Sequence, residues 1–367
     1  LVWSGQHYDF ELSKIFFKQL RLPKPSMNLG IGSASHAMQT GMAMIKLEKA
    51  FSHYKPSIVV AEGDTNTVAA AALTAAKMML PFAHVEAGLR SYDRAMPEEI
   101  NRIVADSLSE LLFAPTKNSV MNLTHEGIPS SKIHLTGNTI VDVVMENRDT
   151  ASQRGLELLA ELNLNPKEYL LLTLHRQENT DDPSRLLRIA KAILMLSRKY
   201  RIVIPLHPRT VSRLEDLGAY RKLKDKSNIT IMGPLGYLEF LGLLLHCLAV
   251  LTDSGGVQEE ALTSGIPTIT LRYNTERPET IWYGVNVLAG AETSLILRMT
   301  EKKIRDCDKI KRRIRGKPNP FGEGNAGKRI AYAIRNALRR RIEIYPTNVI
   351  HALNRETRSP RNAASLN

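Results

Sequence analysis

The sequence predicts an α/β protein built on two doubly wound parallel sheets, and three observations lead to this expectation. Short apolar runs alternate with stretches of helical length in both halves of the chain. A polar helical stretch at residues 147–165, without strand signals, separates the two series. The length of 367 residues suits two domains of roughly 150 to 200 residues each. Alternation of this kind implies parallel strands joined by right-handed helical crossovers.

The first series starts with an apolar run at residues 57–61, which predicts a buried strand. An Ala-rich helix is predicted at 68–79 and a second strand at 82–85. The amphipathic stretch 97–109 predicts a helix, and the run at 111–114 predicts a third strand.

The second series repeats the pattern from residue 169 onward. Its predicted strands occupy residues 169–173, 201–205, 229–232, 249–252 and 267–271, and its predicted helices occupy 183–199, 237–247 and 256–264. We therefore expect one domain over residues 1–155 and a second over 156–325. A last helix within 326–344 is expected to pack back on the first domain, and residues 345–367 form a predicted tail.

Composition excludes several classes of protein. Hydrophobic residues make up 43% and charged residues 24%, which is ordinary for a globular chain. No uncharged apolar stretch reaches the roughly 18 residues that a membrane span needs, and residues 1–5 lack the basic start of a signal peptide. Two cysteines, Cys247 and Cys307, are too few for a disulfide framework or a four-thiolate metal site. These observations predict a cytoplasmic protein with no membrane partner.

The net charge of +13 is concentrated near the end of the chain. Residues 301–343 contain 15 Lys and Arg against 5 Asp and Glu. Such a stretch is either a solvated basic helix face or an anion-binding or nucleic-acid-binding patch. Because no stacking aromatics or nucleic-acid motif accompany it, we favour the solvated face and do not expect a nucleic-acid partner.

Carboxylates follow the predicted strands of the first half. Asp64 comes after the strand at 57–61, Glu86 comes directly after the strand at 82–85, and Glu98 lies at the start of the next helix. Caps and helix-dipole partners are the structural interpretation of Asp64 and Glu98. The carboxyl ends of parallel strands meet along one sheet edge, where open α/β folds bind ligands. We therefore expect the three carboxylates to converge, an arrangement suited to acid/base chemistry.

Two His/Arg pairs follow successive strands of the second half. His175-Arg176 comes after the strand at 169–173, and His207-Pro208-Arg209 comes after the strand at 201–205. A single loop histidine is usually structural, but two such pairs at neighbouring strand ends indicate an anionic ligand. A zinc site would need three ligands at helix or hairpin spacing, so no metal site is predicted.

The most specific local signal is the segment Asp253-Ser254-Gly255-Gly256 between a strand and a helix. Two glycines at a helix start let backbone amides approach a phosphate, and the helix dipole favours its charge. Glu260 lies one turn further on, within reach of ribose hydroxyls, and Arg277 adds a cation after the next strand. A plain strand-to-helix turn is the alternative. The segment 30–35 lacks the third glycine of a dinucleotide fingerprint, and we predict no strand before it.

Taken together and in this order, these motifs resemble the non-hydrolysing UDP-N-acetylglucosamine 2-epimerase family. The resemblance runs from Gly5-Gln6-His7-Tyr8-Asp9 to Asn319-Pro320-Phe321-Gly322-Glu323-Gly324. The other matching segments are Gly63-Asp64-Thr65, His84-Val85-Glu86-Ala87-Gly88-Leu89-Arg90, Pro97-Glu98-Glu99, Gly137-Asn138-Thr139, His175-Arg176, Asp253-Ser254-Gly255-Gly256 and Thr275-Glu276-Arg277-Pro278-Glu279. The resemblance implies a GT-B fold of two Rossmann-like domains, a homodimer, and a UDP-sugar in the interdomain cleft without a metal or other cofactor.

The resemblance also implies roles for individual residues. Asp64, Glu86 and Glu98 would form the acid/base cluster, and His175 would lie beside the diphosphate. The implied substrate-binding residues are Ser254, Gly255 and Gly256 at the phosphates, Glu260 at the ribose, Phe240 beside the uracil, Arg277 at the sugar or phosphate, and His207 and Arg209. Gln6 and His7, with His207, match part of a second, activating UDP-sugar site.

The implied reaction interconverts UDP-N-acetylglucosamine and UDP-N-acetylmannosamine within polysaccharide biosynthesis. UDP is eliminated to leave 2-acetamidoglucal, and re-addition with protonation of the opposite face inverts C2. Residues 1–4 match the family's second strand, so we expect its first strand-loop-helix unit to be missing and the first sheet to have unpaired edges. The alternatives are epimerisation of a related 2-acetamido or 2,3-diacetamido sugar, suggested by residues 91–96, a GT-B glycosyltransferase, or an inactive UDP-sugar-binding protein.

Overall fold

The computed structural model describes residues 1–5 and 10–344, without the side chains of residues 10–14 and 340–344. Contacts divide the chain into two compact units, Leu1–Ala326 and Gly327–Asn367. The predicted tail at 345–367 lies outside the described residues, as do Gln6 and His7. None of the helices in the described part combines the length and hydropathy that a bilayer span requires.

Every strand pairing in the described residues is parallel, which confirms the predicted α/β class. The strands are β1 (Val2–Trp3), β2 (Met27–Asn28), β3 (Val59–Glu62), β4 (Phe82–Val85), β5 (Leu111–Ala114), β6 (Ile133–Leu135), β7 (Tyr169–Thr173), β8 (Arg201–Pro205), β9 (Ile229–Met232), β10 (Ala249–Thr252), β11 (Thr268–Thr270) and β12 (Asn286–Leu288).

Helices separate most of these strands. They are α1 (Phe10–Gln19), α2 (His36–Tyr54), α3 (Asn66–Lys77), α4 (Pro97–Ser107), α5 (Lys117–His125), α6 (Thr139–Glu161), α7 (Gln177–Thr180), α8 (Pro183–Leu196), α9 (Pro208–Asp216), α10 (Tyr220–Lys224), α11 (Tyr237–His246), α12 (Gly255–Ser264), α13 (Pro278–Trp282), α14 (Thr293–Arg305), α15 (Cys307–Ile314) and α16 (Ala326–Ile344). The expectation that α16 packs back on the first domain stays a prediction.

The second half of the first unit, which we call the C-lobe, is built on one six-stranded sheet. Its strand order is β12-β11-β10-β7-β8-β9, so the direction of winding reverses between β10 and β7. One apolar cluster, which includes Leu170 and Leu251, covers one face, and a second cluster, which includes Leu171 and Val250, covers the other. Burial on both faces explains why these strands are continuous apolar runs in the sequence.

The first half, which we call the N-lobe, has a divided sheet. Strands β3-β4-β5-β6 form a four-stranded sheet, and β1 and β2 form a separate parallel pair. Among the described strands, β1 pairs only with β2 and β3 only with β4. Val60 in β3 is 47% exposed. Both sheets nevertheless contribute to one cluster, in which Leu29 after β2 and Val59 in β3 are buried together with residues of α2 and α3.

Helix α6 leads from the N-lobe into the C-lobe and packs against α11 and α12. Two glycines permit the close crossing of α6 and α11, because a Cβ on Gly155 would lie 2.6 Å from the carbonyl carbon of Gly242. The predicted domain boundary at residue 155 falls inside this helix and remains a prediction.

The structure differs from the sequence-based expectations at the segment 30–35 and at helix α2. The strand β2 directly precedes the segment 30–35, so the expectation of no strand there was wrong. Helix α2 follows, with Ser35 as its N-cap, although the sequence patterns did not predict it. Its mixed Met, Ala and Lys composition has only a weak apolar periodicity.

Candidate active site

The reversal of strand order in the C-lobe sheet brings the ends of β7 and β10 side by side. Such a switch point is where open α/β sheets bind ligands. The carboxylate of Asp253, after β10, is fully buried and accepts hydrogen bonds from the backbone N–H groups of His175 and Arg176, at 3.1 and 2.9 Å. Burial alone would raise the pKa of Asp253, but the His175 ring and these hydrogen bonds outweigh it and lower the pKa.

His175 is oriented by this buried aspartate. Its Nδ1 atom lies 3.1 Å from Oδ1 of Asp253, while half of the His175 side chain stays exposed. A carboxylate on one ring nitrogen fixes the orientation of the ring. The exposed half of the ring is therefore available to a ligand at the switch point.

Helix α12 starts at the same edge of the sheet, with Ser254 as its N-cap residue. Gly255 and Gly256 form its first turn. A Cβ on Gly255 would lie 2.5 Å from Nη1 of Arg277 and 2.5 Å from Oε1 of Glu276. The glycine therefore leaves room for a guanidinium directly beside a helix N-terminus, a position suited to anions.

A group of buried charges surrounds this turn. The fully buried Glu276 carboxylate is paired with the guanidinium of Arg277, and it lies 2.9 Å from Nη2 of Arg272. Burial would raise the pKa of Glu276, but the positive charges of Arg277 and Arg272 hold it well below its usual value. A further cation, Arg176, lies 3.9 Å from the same carboxylate. One anion thus organises three arginines at the switch point.

Two neighbouring glutamates of α12 are buried. Oε1 of Glu259 accepts a hydrogen bond from Nε of Arg277 at 2.7 Å. Burial raises the pKa of Glu259 to about 8 and the pKa of Glu260 to about 7. Phe240 in α11 is partly buried against the adjacent apolar cluster.

In the N-lobe, Asp64 lies in the turn between β3 and α3. Its Oδ2 atom lies 2.5 Å from Nη1 of the buried Arg102. Nη2 of Arg102 also contacts Oε2 of Glu99 at 2.7 Å. Burial would raise the pKa of Glu99, but the backbone N–H of Ser91 and the guanidinium of Arg102 lower it. Glu99 thus has a structural role.

Glu86 follows β4 with its backbone in the left-handed region, at a φ of +69°. This conformation is uncommon for a residue with a Cβ and marks local strain. The carboxylate accepts a hydrogen bond from Nδ2 of Asn138 at 2.7 Å and lies 3.7 Å from Nη2 of Arg277. A Cβ on Gly63 would be 3.7 Å from Oε2 of Glu86, so this carboxylate lies against the turn that carries Asp64.

Several contacts join the two lobes around these groups. Glu98 at the start of α4 accepts a hydrogen bond from Nη1 of Arg176 at 2.8 Å. Nδ2 of Asn274 donates to Oδ2 of Asp93 at 2.8 Å. The carboxylates of the N-lobe therefore face the arginines and the glycine turn of the C-lobe.

The second predicted His/Arg pair has a different environment. His207 is the N-cap of α9, and its Nδ1 atom accepts the backbone N–H of Arg209 at 3.3 Å. The exposed Arg209 side chain lies 2.6 Å from Oδ2 of Asp181. Both residues follow β8, which neighbours β7 in the sheet.

Four residues of this arrangement had no predicted role, although two of them lie in segments that match the family: Arg102, Asn138, Glu259 and Glu276. Arg102 lies three residues after Glu99 on one helix, and Asn138 follows the end of β6, so spacing could have indicated both. No local signal identifies Glu259 and Glu276 as the partners of Arg277. Within the described residues, no group of three or more His, Cys, Asp or Glu is placed to hold a metal ion.

This geometry combines two chemical capabilities. Carboxylates in a partly buried site can exchange protons with a ligand. Arginines beside a helix N-terminus can stabilise a departing phosphate or diphosphate. The site therefore suits a reaction in which a proton moves on one side and an anionic group leaves on the other.

Comparisons with known proteins agree with this chemistry. The UDP-N-acetylglucosamine 2-epimerase family model matches residues 1–335. A UDP-N-acetylglucosamine 2-epimerase of Methanococcus maripaludis is 46% identical over 332 residues, which cover 89% of this chain and 88% of the relative. A UDP-2,3-diacetamido-2,3-dideoxy-D-glucuronate 2-epimerase of Pseudomonas aeruginosa is 39% identical over 336 residues, with 90% and 89% covered.

A solved structure extends the similarity to the fold. The Methanocaldococcus jannaschii UDP-GlcNAc 2-epimerase, crystallised in complex with UDP-GlcNAc and UDP, superimposes with a TM-score of 0.83 at 45% identity. The superposition covers 91% of this chain and 90% of that one. The match supports the GT-B architecture of two Rossmann-like lobes. With the family model matching nearly the whole chain, the protein belongs to the UDP-N-acetylglucosamine 2-epimerase family.

Proposed function

We propose that this chain interconverts UDP-N-acetylglucosamine and UDP-N-acetylmannosamine by inverting C2 of the sugar. The observation that carries the proposal is the placement of Glu86 opposite Arg277 and Gly255. The Glu86 carboxylate lies 3.7 Å from Nη2 of Arg277, and Nη1 of the same guanidinium lies 2.5 Å from the position of a Gly255 Cβ. A proton-accepting group and an anion-binding turn thus meet within the span of one sugar diphosphate.

In this proposal the C-lobe binds the nucleotide. The N–H groups of Ser254, Gly255 and Gly256 and the guanidinium of Arg277 would hold the diphosphate. The Glu260 carboxyl would bind the ribose, Phe240 would lie beside the uracil, and the exposed edge of His175 would face the diphosphate. His207 and Arg209 would contact the ligand from the end of β8.

The N-lobe would handle the proton. One carboxylate of the set Asp64, Glu86 and Glu98 removes the proton from C2 while the C1–O bond to UDP breaks. The electron pair of the C2–H bond becomes the C1–C2 double bond of 2-acetamidoglucal, and the pair of the C1–O bond leaves with UDP. Return of UDP to C1 and of a proton to the opposite face of C2 completes the inversion. Arg102 and Asn138 would keep Asp64 and Glu86 in place.

The experiment is an exchange assay in D2O with UDP-N-acetylglucosamine as the sole sugar. We expect deuterium at C2 and the appearance of the manno epimer, both followed by proton NMR. Glu86→Gln should slow exchange by about two to four powers of ten if Glu86 transfers a proton. Glu110→Gln is the matched control, because Glu110 is an exposed glutamate of the same lobe that pairs with Lys132.

The outcome of this assay also separates the alternatives. A glycosyltransferase would bind the nucleotide sugar but leave the C2 hydrogen in place. An inactive UDP-sugar-binding protein would bind UDP in calorimetry and show no exchange. Exchange by the wild type together with an unchanged rate in Glu86→Gln would contradict the assignment of Glu86.

A second candidate substrate is a UDP-2,3-diacetamido uronic sugar. The 39% identity to the Pseudomonas enzyme favours it, as does the loop at residues 91–96. Asp93 in this loop accepts a hydrogen bond from Asn274 across the lobes, so the loop lies close to the cleft. The same exchange assay with this sugar, compared by kcat/KM, decides between the two substrates.

We also propose a homodimer. Met38, Met42 and Ile45 of α2 follow the i, i+4, i+7 spacing of one helix face, and Met38 and Ile45 are 60% and 59% exposed. A second copy of the chain would cover this apolar face. Light scattering should give the mass of a dimer, and Ile45→Glu should shift it toward the monomer. A wild-type monomer at micromolar concentration would contradict this assignment.

The nucleotide-sugar substrate and the free thiols of Cys247 and Cys307 support a cytoplasmic enzyme that supplies polysaccharide biosynthesis. Fractionation of the source cells tests this location directly.

A further inference from the structure

His84 occupies an unusual position under the two turns that carry Asp64 and Glu86. It lies in the buried strand β4 and is fully buried itself. Its Nδ1 atom lies 2.6 Å from Oδ1 of Asp106 in α4, and its Nε2 atom lies 2.8 Å from the carbonyl oxygen of Gly63. The ring therefore connects α4 to the turn that follows β3.

The chemistry of these two partners fixes the charge of the ring. A carbonyl oxygen accepts hydrogen bonds only, so Nε2 must carry a hydrogen. Oδ1 of Asp106 is also an acceptor when the aspartate is ionised, so Nδ1 must then carry a hydrogen as well. A neutral imidazole has only one N–H and would set a lone pair against an oxygen in a fully buried site.

The surroundings of Asp106 keep that carboxylate ionised. Its Oδ2 atom accepts the backbone N–H of Gly88 at 3.1 Å and lies 2.7 Å from Nη2 of the buried Arg90. Arg90 is paired in turn with Glu126 at 2.6 Å. Burial would raise the pKa of Asp106, but the charges of His84 and Arg90 lower it. The shared proton therefore resides on the histidine.

The other charges near the ring also favour the protonated form of His84. Besides Asp106, the groups facing His84 are the Gly63 carbonyl, Glu86 at the end of its own strand and Glu62 at the end of β3. Burial opposes the charged form of His84, but Asp106, the Gly63 carbonyl and Glu86 outweigh it and raise the pKa. Arg90 is the opposing cation and is separated from the ring by the Asp106 carboxylate.

This buried ion pair spans both turns of the site. One end holds the carbonyl of Gly63, whose φ of +85° sets up the turn before Asp64. The other end holds the N–H of Gly88, two residues after the strained Glu86. A Cβ on Gly88 would lie 2.8 Å from Cγ of Leu123, so this second turn is also tightly confined. The position of each turn thus depends on the same histidine-aspartate pair.

We propose that His84, as a permanently charged imidazolium paired with Asp106, is a positioning residue that sets the separation of Asp64 and Glu86. The proposal rests on the proposed function for its kinetic consequences, whereas the charge of the ring can be measured without any reaction. His84 does not face the ligand cleft; it acts through the backbone of the two turns.

Each of two conservative substitutions keeps one of the two hydrogen bonds of the His84 ring and removes the other. In His84→Gln the amide nitrogen takes the place of Nε2 and still donates to the Gly63 carbonyl. In His84→Asn the amide nitrogen takes the place of Nδ1, so the Asp106 contact survives and the Gly63 carbonyl is released. We expect His84→Asn to lower kcat for C2 exchange by about tenfold to a hundredfold, with little change in KM, and His84→Gln to retain more of the activity.

His134→Asn is the matched control. His134 lies in β6 of the same sheet and packs against Phe113 at 5.7 Å between ring centroids, away from both turns. Its substitution should leave kcat unchanged. Thermal unfolding of all variants checks that they are folded. Equal activities of His84→Asn and His84→Gln would overturn the positioning role.

The charge of the ring is tested on the wild-type protein. Nitrogen NMR of labelled histidine should show both ring nitrogens of His84 protonated at pH 7, and a neutral ring would overturn the proposal. Asp106→Asn removes the partner charge, so burial should lower the pKa of His84. The kcat of this variant should then fall with rising pH at a lower pH than the kcat of the wild type. An unchanged pH profile would also contradict the proposal.

These results separate the proposal from the proposed function. If the wild type shows no C2 exchange, the proposed function fails, while the NMR result still decides the charge of His84. If the wild type exchanges normally and the ring is neutral, only the positioning proposal fails.

Discussion

The two lobes repeat the same strand-helix alternation, but they hold their functional turns in different ways. In the C-lobe, β7 and β10 have hydrogen-bonded neighbours on both sides within a six-stranded sheet. In the N-lobe, Asp64 follows β3, which among the described strands pairs only with β4. A strand with one partner is held less firmly by its backbone. The turn after β3 is instead fixed by side chains, since Arg102 binds Asp64 and His84 binds Gly63.

The lobes also differ in the charge that they bring to the cleft. Arg176, Arg272 and Arg277 of the C-lobe surround Glu276, whereas Glu86 and Glu98 of the N-lobe face Arg277 and Arg176. The comparison shows that scaffold and charge follow the same division: the continuous sheet carries the cluster of arginines, and the divided sheet carries the carboxylates to which we assign proton transfer.

The largest expected effect tests whether proton transfer depends on the N-lobe and nucleotide binding on the C-lobe. Asp64→Asn should lower the rate of C2 exchange by about two to four powers of ten if Asp64 takes part in proton transfer. UDP binding, measured by calorimetry, should change little, because the proposed nucleotide contacts are all in the C-lobe. Arg277→Gln should instead weaken UDP binding. Equal losses of UDP affinity in the two variants would break the comparison.

The next effect concerns the stability of the two sheets. Leu171 in β7 and Leu112 in β5 are both fully buried, but Leu171 belongs to a much larger apolar cluster. Leucine-to-alanine changes in cores cost about 2–5 kcal/mol in the free energy of unfolding. Leu171→Ala should lie near the top of this range and Leu112→Ala near the bottom, as measured by urea denaturation.

The exposed Leu187 in α8 provides the control for this pair of variants. Leu187→Ala should change the free energy of unfolding by less than about 1 kcal/mol. If Leu112→Ala proves as costly as Leu171→Ala, the two lobes are equally well packed despite the divided sheet.

The third prediction compares how the stability of the two lobes depends on pH. Burial raises the pKa of Glu260 in the C-lobe from 4.5 to about 7. The folded state therefore binds the proton more tightly than the unfolded state, and stability falls as the pH rises from 4.5 to 7. The integrated effect is up to roughly 3 kcal/mol. Glu260→Gln should remove this contribution from thermal unfolding measured across that range, and the contribution of Glu259, whose pKa is raised to about 8, should remain.

Glu99 in the N-lobe should show the opposite sign. Its pKa is lowered, because hydrogen bonds from Ser91 and the charge of Arg102 outweigh burial. Its contribution to stability is present above the unfolded-state pKa of 4.5 and is lost as the pH falls through the lower folded-state pKa. Glu99→Gln should therefore weaken the loss of stability in acid. A wild-type-like acid transition in this variant would contradict the assignment.

The smallest expected effect is at the junction of the lobes. The hydrogen bond from Asn274 to Asp93 spans the cleft at 2.8 Å. A double-mutant cycle with Asn274→Ala and Asp93→Ala should give a coupling of about 0.5–1.5 kcal/mol in the free energy of unfolding. A coupling near zero would indicate that this hydrogen bond does not stabilise the contact between the lobes.

The sequence predicted the strands of the core more closely than the remaining elements. The bounds of β4, β5, β7, β8, β9 and β10 agree with the predicted ranges, because buried parallel strands are continuous apolar runs that end at polar residues. Helix α6 starts earlier than the predicted polar stretch, because its first turns are mainly apolar, and Ile140 and Val141 pack against Leu262 and Phe321. Helix α2 lacked a clear signal in the sequence.

The site was predictable only as far as strand ends could identify it. Glu86, His175 and Asp253 follow buried strands, so the sheet topology alone brings them to the cleft. The pairing of Arg277 with Glu259 and Glu276 depends on how a loop folds over the glycine turn. The pairing of Glu98 with Arg176 depends on the approach of two lobes. Neither kind of contact can be recognised from the spacing of nearby residues in the sequence.

The left-handed backbone of Glu86 lowers the stability of its turn in favour of a carboxylate at that position. A φ of +69° costs a residue with a Cβ about 1 kcal/mol, and glycine adopts it without strain. Glu86→Gly should therefore relax this turn and, if Glu86 transfers the proton as proposed, abolish the reaction. The proposed chemistry thus needs a carboxylate at a position where the backbone alone would favour glycine, and a lineage released from selection for epimerisation would be expected to lose this glutamate early.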